Sequence, residues 1–205
     1  MIHILMVLFM KNHKIERISV LTKEFEMVFR KIHENYWYAL RTAVLVVIKF
    51  FECEKCGQCC INSPPIFTED EVRKIADFLK KRIEELPLIP VLHFSRILYK
   101  TKRPCPFLSK DKKCRIYPVR GIQCRSFPFE WLMYSFVPVY CPGLSKAISK
   151  ANSFIKRNLK KLQKVSKELE TDLQRLASDS LFKEKMQYLE YRPLVNKLFR
   201  LLNEK

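Results

Sequence analysis

The stretch FECEKCGQCC, residues 51–60, sets four cysteines within eight positions. A C-x2-C spacing turns the chain tightly enough to bring two sulfurs to one centre, which is why soft thiolate sites recur on it. Cys53, Cys56 and Cys59 extend the spacing to three thiols in seven residues. Bacterial ferredoxins hold three irons of one cubane cluster by the same run. Cys60 departs from that run by following Cys59 directly, and adjacent side chains diverge. It can join a second site, pack as a small buried hydrophobe or act as a reactive thiol.

The chain has eight cysteines, all between positions 53 and 141. An even count also suits disulfides, but 205 residues with 48% hydrophobic content can bury a core without such staples. Reduced thiols, and with them a cytoplasmic protein, are expected. The second half of the set lies in RPCPFLSKDKKCRIYPVRGIQCRSFPF, residues 103–129, and in VYCPG, residues 139–143. Cys105 and Cys114 bracket the polar turn SKDKK, which reads as a hairpin or knuckle with both thiols at its base. Cys124 and Cys141 complete the set of candidate metal ligands. Thiolate sites carry net negative charge and favour nearby cations. Arg120 and Arg125, embedded among aromatics and prolines, are candidates to face a bound cofactor, whereas Arg103 and Arg115 read as solvated surface charge. His93, set among Val91, Leu92 and Phe94, reads as packed rather than ligating.

CEKCGQCC at 53–60, CPFL at 105–108, CRIYPVRGIQCRSFPF at 114–129 and the later Cys141 together resemble the eight-cysteine YkgJ-type family with its CxxCxxCC zinc- or iron-chelating domain. The resemblance spans about residues 51–143 and implies a metal-binding cysteine cluster. One departure is Gly121 after Arg120, where the family usually has proline. A more distant similarity to flagellin lysine methylase implies an iron–sulfur cluster and methyl transfer from S-adenosylmethionine, by analogy alone. The three glycines, Gly57, Gly121 and Gly143, cannot build a G-x-G-x-x-G nucleotide loop. No catalytic residue is assigned, and Glu130 beside Trp131 is only a polar group near the site.

The remaining chain reads as helical. YWYALRTAVLVVIKFF, residues 36–51, is too short between Arg41 and Lys49 to span a bilayer and reads as a buried helix. The opening MIHILMVLFM has neither a basic n-region nor a small-residue cleavage site, so a signal peptide is not expected. Residues 68–86 predict an amphipathic helix with Thr68 as cap and Glu71 as its capping-box partner. In 144–190, Ile148, Ile155, Leu162, Leu169 and Leu176 recur every seven residues as a coiled-coil seam, docked within the chain or pairing two chains as a dimer. Pro193 is expected to break that segment before a short final helix.

The expected fold is mainly α, a helical bundle around a small irregular or β-hairpin cysteine-rich core. Its segments are a helical 1–50, a metal-binding 51–143 and a basic helical tail 144–205. Net charge is +18, concentrated in the cysteine region and the tail. The basic face of 156–167 offers a contact for nucleic acid, and an unknown protein or small molecule is the other partner class. Two functions compete. One is an iron–sulfur protein, 4Fe–4S favoured, with redox or cluster-assisted methyl-transfer chemistry. The other is a zinc-stabilised module binding nucleic acid or an acidic protein. A thioredoxin-like C-x-x-C pair ranks below both, since no βαβ pattern surrounds it.

Overall fold

The computed structural model describes residues 23–63, 65–93, 96–132, 140–178 and 188–204. The apolar first ten residues, Phe94 and the side chains of Glu130, Trp131 and Leu176 lie outside what is described. In chain order the helices are α1 (Lys23–Phe29), α2 (Tyr36–Phe50), α3 (Gln58–Asn62), α4 (Glu69–Leu79), α5 (Ile122–Ser126), α6 (Phe129–Leu132), α7 (Pro142–Glu168), α8 (Glu170–Ser178) and α9 (Tyr188–Asn203). The strands are β1 (Ile66–Thr68), β2 (Leu88–His93) and β3 (Arg96–Thr101). The protein is thus mainly helical with a minor antiparallel sheet, the class the sequence predicts. It divides into a helical unit, Met1–Glu52 with Pro128–Lys205, and a cysteine unit, Cys53–Phe127.

The helical unit is built on α2. Asn35 caps it, its Oδ1 accepting from the N–H groups of Trp37 at 2.9 Å and Tyr38 at 3.4 Å. From Ala39 to Ile48 nearly every side chain is buried, the signature of a helix enclosed on all sides. It packs against α7, α8 and α9 of the same unit. Ile148, Ile155, Leu162 and Leu169 are buried, so the heptad seam is covered within the chain. A hydroxyl pair, Thr42 with Ser166 at 2.9 Å, satisfies the polar atoms caught between α2 and α7.

Three helix boundaries differ from the sequence reading. The capped helix ends at Leu79, because Lys80 adopts a left-handed conformation (φ 54°) and hands Ile83 to a 3₁₀ turn. Pro193 lies inside α9 and does not break it. Tyr191, Leu194, Val195, Leu198 and Leu202 form one buried stripe, and its burial outweighs the hydrogen bond that an exposed proline forfeits. Within the 144–190 segment, read as one long helix, α7 ends at Glu168 and α8 begins at Glu170, and Asn158 in α7 departs from helical geometry.

In the cysteine unit the strands run in the order β1-β3-β2, all antiparallel. Phe67 from β1, Val72, Ile75 and Ala76 from α4, and Leu86, Phe107 and Ile116 from the connections make its core. No helix of the described residues is long and apolar enough to cross a membrane.

Candidate metal centre

Each cysteine is positioned by a local device. Cys53 and Cys56 lie on the loop entering α3, Cys53 exposed and Cys56 half-buried. Lys55 (φ 52°) and Gly57 (φ 74°) turn that loop through left-handed conformations, one of which glycine alone adopts without strain. The Gly57 carbonyl then accepts from Ile61 N–H at 3.0 Å and opens α3, setting Cys59 and Cys60 in its first turn.

The second loop is the predicted knuckle. Leu108 and Cys114 form a bridge, Ser109 N–H donates to the Lys113 carbonyl at 2.8 Å, and Ser109 Oγ accepts from Lys113 N–H at 3.0 Å. Lys112 makes the turn with φ 60°. A Cβ built on Gly57 would stand 3.4 Å from Lys112 Cβ and 3.5 Å from Leu108 Cδ1, so the two loops lie face to face. Cys105 N–H fastens them by donating to the Cys60 carbonyl at 2.8 Å.

Cys124 arrives on α5, which two side chains hold. Glu71 is the expected capping partner of Thr68, and the structure gives it a second task. One carboxylate oxygen accepts from Thr68 N–H at 2.9 Å, and the other from Ile122 N–H at 2.6 Å. Gln123 Oε1 accepts from Ile66 N–H at 2.9 Å, tying α5 to β1. Neither tie is legible in the sequence, since each joins positions more than 50 residues apart. Gly121 also has a reason. Its Cβ would stand 2.6 Å from the Phe67 ring, so the phenyl group fills the space that any side chain at this position would need.

Cys60, Cys105, Cys114 and Cys124 pack against one apolar core. The Cys59 thiol contacts that of Cys60, and this contact together with burial and the neighbouring charge raises Cys59 far above the ordinary thiol range. Burial pushes Cys124 up strongly, and the nearby Cys105, Cys114 and Cys59 push it further while Arg120 opposes them. Burial likewise raises Cys105 and Cys114, with Cys59 adding to both. Cys59 also couples electrostatically to Cys105, Cys114 and Cys124, so five thiols from three separate stretches lie near one another. Among the described residues, no three His, Cys, Asp or Glu side chains stand at the spacing of a closed coordination shell.

This donor set fits a soft cation. Crowded thiols raise one another because each disfavours its neighbours' negative charge, and a bound cation reverses that sign. Arg120 lies 3.9 Å over the Tyr117 ring and close enough to Cys114 and Cys124 to favour their thiolates. Arg125 Nε is buried with no hydrogen-bond partner among the described residues, a donor that an anionic centre could use. Arg115 is exposed, and its guanidinium also donates to the Pro106 carbonyl, which braces the knuckle. His93 ends β2 opposite Arg96. Cys141 belongs to the helical unit, where it stands at the N-cap of α7 and its backbone carbonyl accepts from Ser145 N–H at 3.0 Å.

Comparison with known proteins agrees with this chemistry. Residues 52–142 match the family described as "CxxCxxCC: Putative zinc- or iron-chelating domain". An uncharacterized protein of Methanocaldococcus jannaschii is 37% identical over 83 residues, a stretch covering 38% of this chain and 44% of that protein. No solved structure matches the chain.

Proposed function

We propose that the CxxCxxCC domain carried over residues 52–142 binds metal through its thiolates and that the occupant is a 4Fe–4S cluster. Cys59, Cys60, Cys105, Cys114 and Cys124 are the inner set from which the ligands come, with Cys53, Cys56 and Cys141 as the remaining candidates. The packing of Cys60, Cys105, Cys114 and Cys124 on one core, with Cys59 beside them, carries the reading. Five exceed the four positions of a tetrahedral zinc site, and the adjoining C-x2-C-x2-C run is a cluster spacing.

When bound, such a cluster supplies one-electron chemistry, and methyl transfer from S-adenosylmethionine rests on the family resemblance alone. The chain's own residues do the holding. Cys105 N–H keeps the two loops together, Glu71 and Gln123 fix α5, and Arg120 and Arg125 offset the negative charge of the thiolates. Thiols on two loops that already face each other would hold the cluster. Metal thiolates need reduced sulfur, which supports the cytoplasm as the compartment. Residues 51–143 are the metal-binding domain in this reading, and zinc is the alternative occupant.

Anaerobic purification with metal and sulfide analysis tests it. Brown protein with stoichiometric iron and acid-labile sulfide is expected. Colourless protein holding zinc alone would replace the cluster with a structural zinc site, and protein without metal after anaerobic reconstitution would end both. Cys60→Ser assigns the adjacent pair, since lost metal makes Cys60 a ligand and retained metal frees it for another task.

A further inference from the structure

α7 carries eight basic residues against the single acid Glu168. One side of it packs into the helical unit through Leu144, Ala147, Ile148, Ala151, Ile155, Leu162 and Val165. On the other side Lys150, Arg157, Lys160, Lys164 and Lys167 are all exposed and follow one another at helical spacings of seven, three, four and three. At 1.5 Å per residue this ridge is about 26 Å long. Two further cations of the helix are engaged elsewhere. Lys156 pairs with Glu24 at 2.7 Å, and Lys161 donates to the Leu202 carbonyl at 3.4 Å. Glu168 reaches Lys164 only at 3.8 Å and leaves the ridge strongly positive. At its C-terminal end Lys167 shares an open cleft with Lys31, with Glu34 and with Arg30, which is itself paired with Glu26 at 2.7 Å.

What the face lacks decides its partner. Its exposed positions are serines, lysines, Arg157, Gln163 and Glu168, with no aliphatic or aromatic side chain among them. An interfacial helix needs an apolar face to sink below lipid headgroups, and a single-strand binder needs rings for bases to stack on. A row of cations with small serines between them suits phosphates instead. We propose that this face of α7 binds the phosphate backbone of double-stranded DNA without reading its sequence. A helix about 10–12 Å across matches the roughly 12 Å major groove of B-DNA, whose walls are phosphate rows, while the narrow A-form groove of duplex RNA does not admit it.

Fluorescence anisotropy of the full-length protein, as purified with its metal, on a labelled 20-base-pair DNA duplex tests this. Four or five phosphate contacts predict a log–log salt slope of about −3.6 to −4.5, a loss of a few hundred-fold in affinity between 50 and 200 mM salt. The quadruple variant K150E/R157E/K160E/K164E, whose positions are all exposed, should abolish binding while leaving the melting temperature and helical circular dichroism unchanged. The milder K160Q/K164Q should still bind, with a slope shallower by about two. Absence of binding at 50 mM salt overturns the proposal, as does wild-type affinity in both variants. Tighter binding to duplex RNA or to phosphatidylserine vesicles than to DNA overturns it equally.

Discussion

The two units of this protein are stabilised in different ways. In the helical unit Leu40, Val44, Leu45, Val47, Leu144, Ile155 and Leu162 are fully buried, and its polar burials such as Thr42 and Ser166 satisfy each other. Packing alone accounts for its order. In the cysteine unit the core is a handful of residues around Phe67, Ile75 and Phe107, and thiols occupy positions that a self-sufficient domain would give to leucine or valine. A single core in a domain of about that size rarely supplies more than about 3–5 kcal/mol. The cysteines are free, so metal is the crosslink their chemistry leaves. On the proposed metal centre, one unit has its stability in packing and the other gains it when ligands close.

Removing the metal should break this comparison open most widely. Structural thiolate sites contribute on the order of 10 kcal/mol to folding, comparable to the whole stability of a typical domain. Anaerobic chelation is therefore expected to strip amide-exchange protection from Cys53–Phe127 while α2 and α7 stay protected. Equal protection in both units after chelation would mean that the small core stands alone. The counterpart in the helical unit is Leu162→Ala, a fully buried seam position. It should cost about 2–5 kcal/mol in denaturant unfolding and leave metal content untouched. Loss of metal in that variant would show that the two units are not energetically separate.

The same contrast explains what could be read from the sequence. The helical unit is written in local periodicities, so the buried α2 and the heptad seam through Leu162 were legible, and in the cysteine unit the Thr68 cap of α4 was legible for the same local reason. The knuckle between Cys105 and Cys114 was legible too, because its turn is encoded by adjacent polar residues. The β2–β3 hairpin was missed. Pro90 and the exposed Ile89 and Leu92 blur its alternation, and the strand is recognisable only through its register with β3. Motif spacing named the cysteines but not which ones gather, since that depends on Glu71 and Gln123 reaching across from other segments. Pro193 misled because its local cost was visible and the stripe that outweighs it became visible only on docking.

A finer probe of the cysteine unit is Gly121→Ala. The added Cβ would lie 2.6 Å and 2.8 Å from two atoms of the Phe67 ring, which is fully buried and has nowhere to turn. Overpacking of this kind costs about 1–3 kcal/mol. The loss should be seen in metal-loaded protein as reduced protection of β1 and α5, with the melting of the helical unit unchanged. If the variant is as stable as the native chain, Phe67 has room to move and the small core is looser than its burial indicates.

The smallest effect concerns the rim of the helical unit. Glu24 on α1 accepts from Lys156 Nζ at 2.7 Å and Asn152 Nδ2 at 3.1 Å on α7. The hydrogen bond from Lys156, then that from Asn152, holds its carboxyl below the ordinary range. A folded value lower than the unfolded one contributes stability that is present above the unfolded pKa, about 4.3, and is lost as pH falls through the folded one. The group is fully exposed, so salt screens it as well. Glu24→Gln should therefore lower the melting temperature slightly at pH 7. The deficit should shrink below about pH 4 and in about 1 M salt. A deficit that persists under both conditions would make the contact one of shape rather than charge. Attachment of α1 would then rest wholly on Phe25 and Phe29, the same apolar packing that holds the rest of the unit.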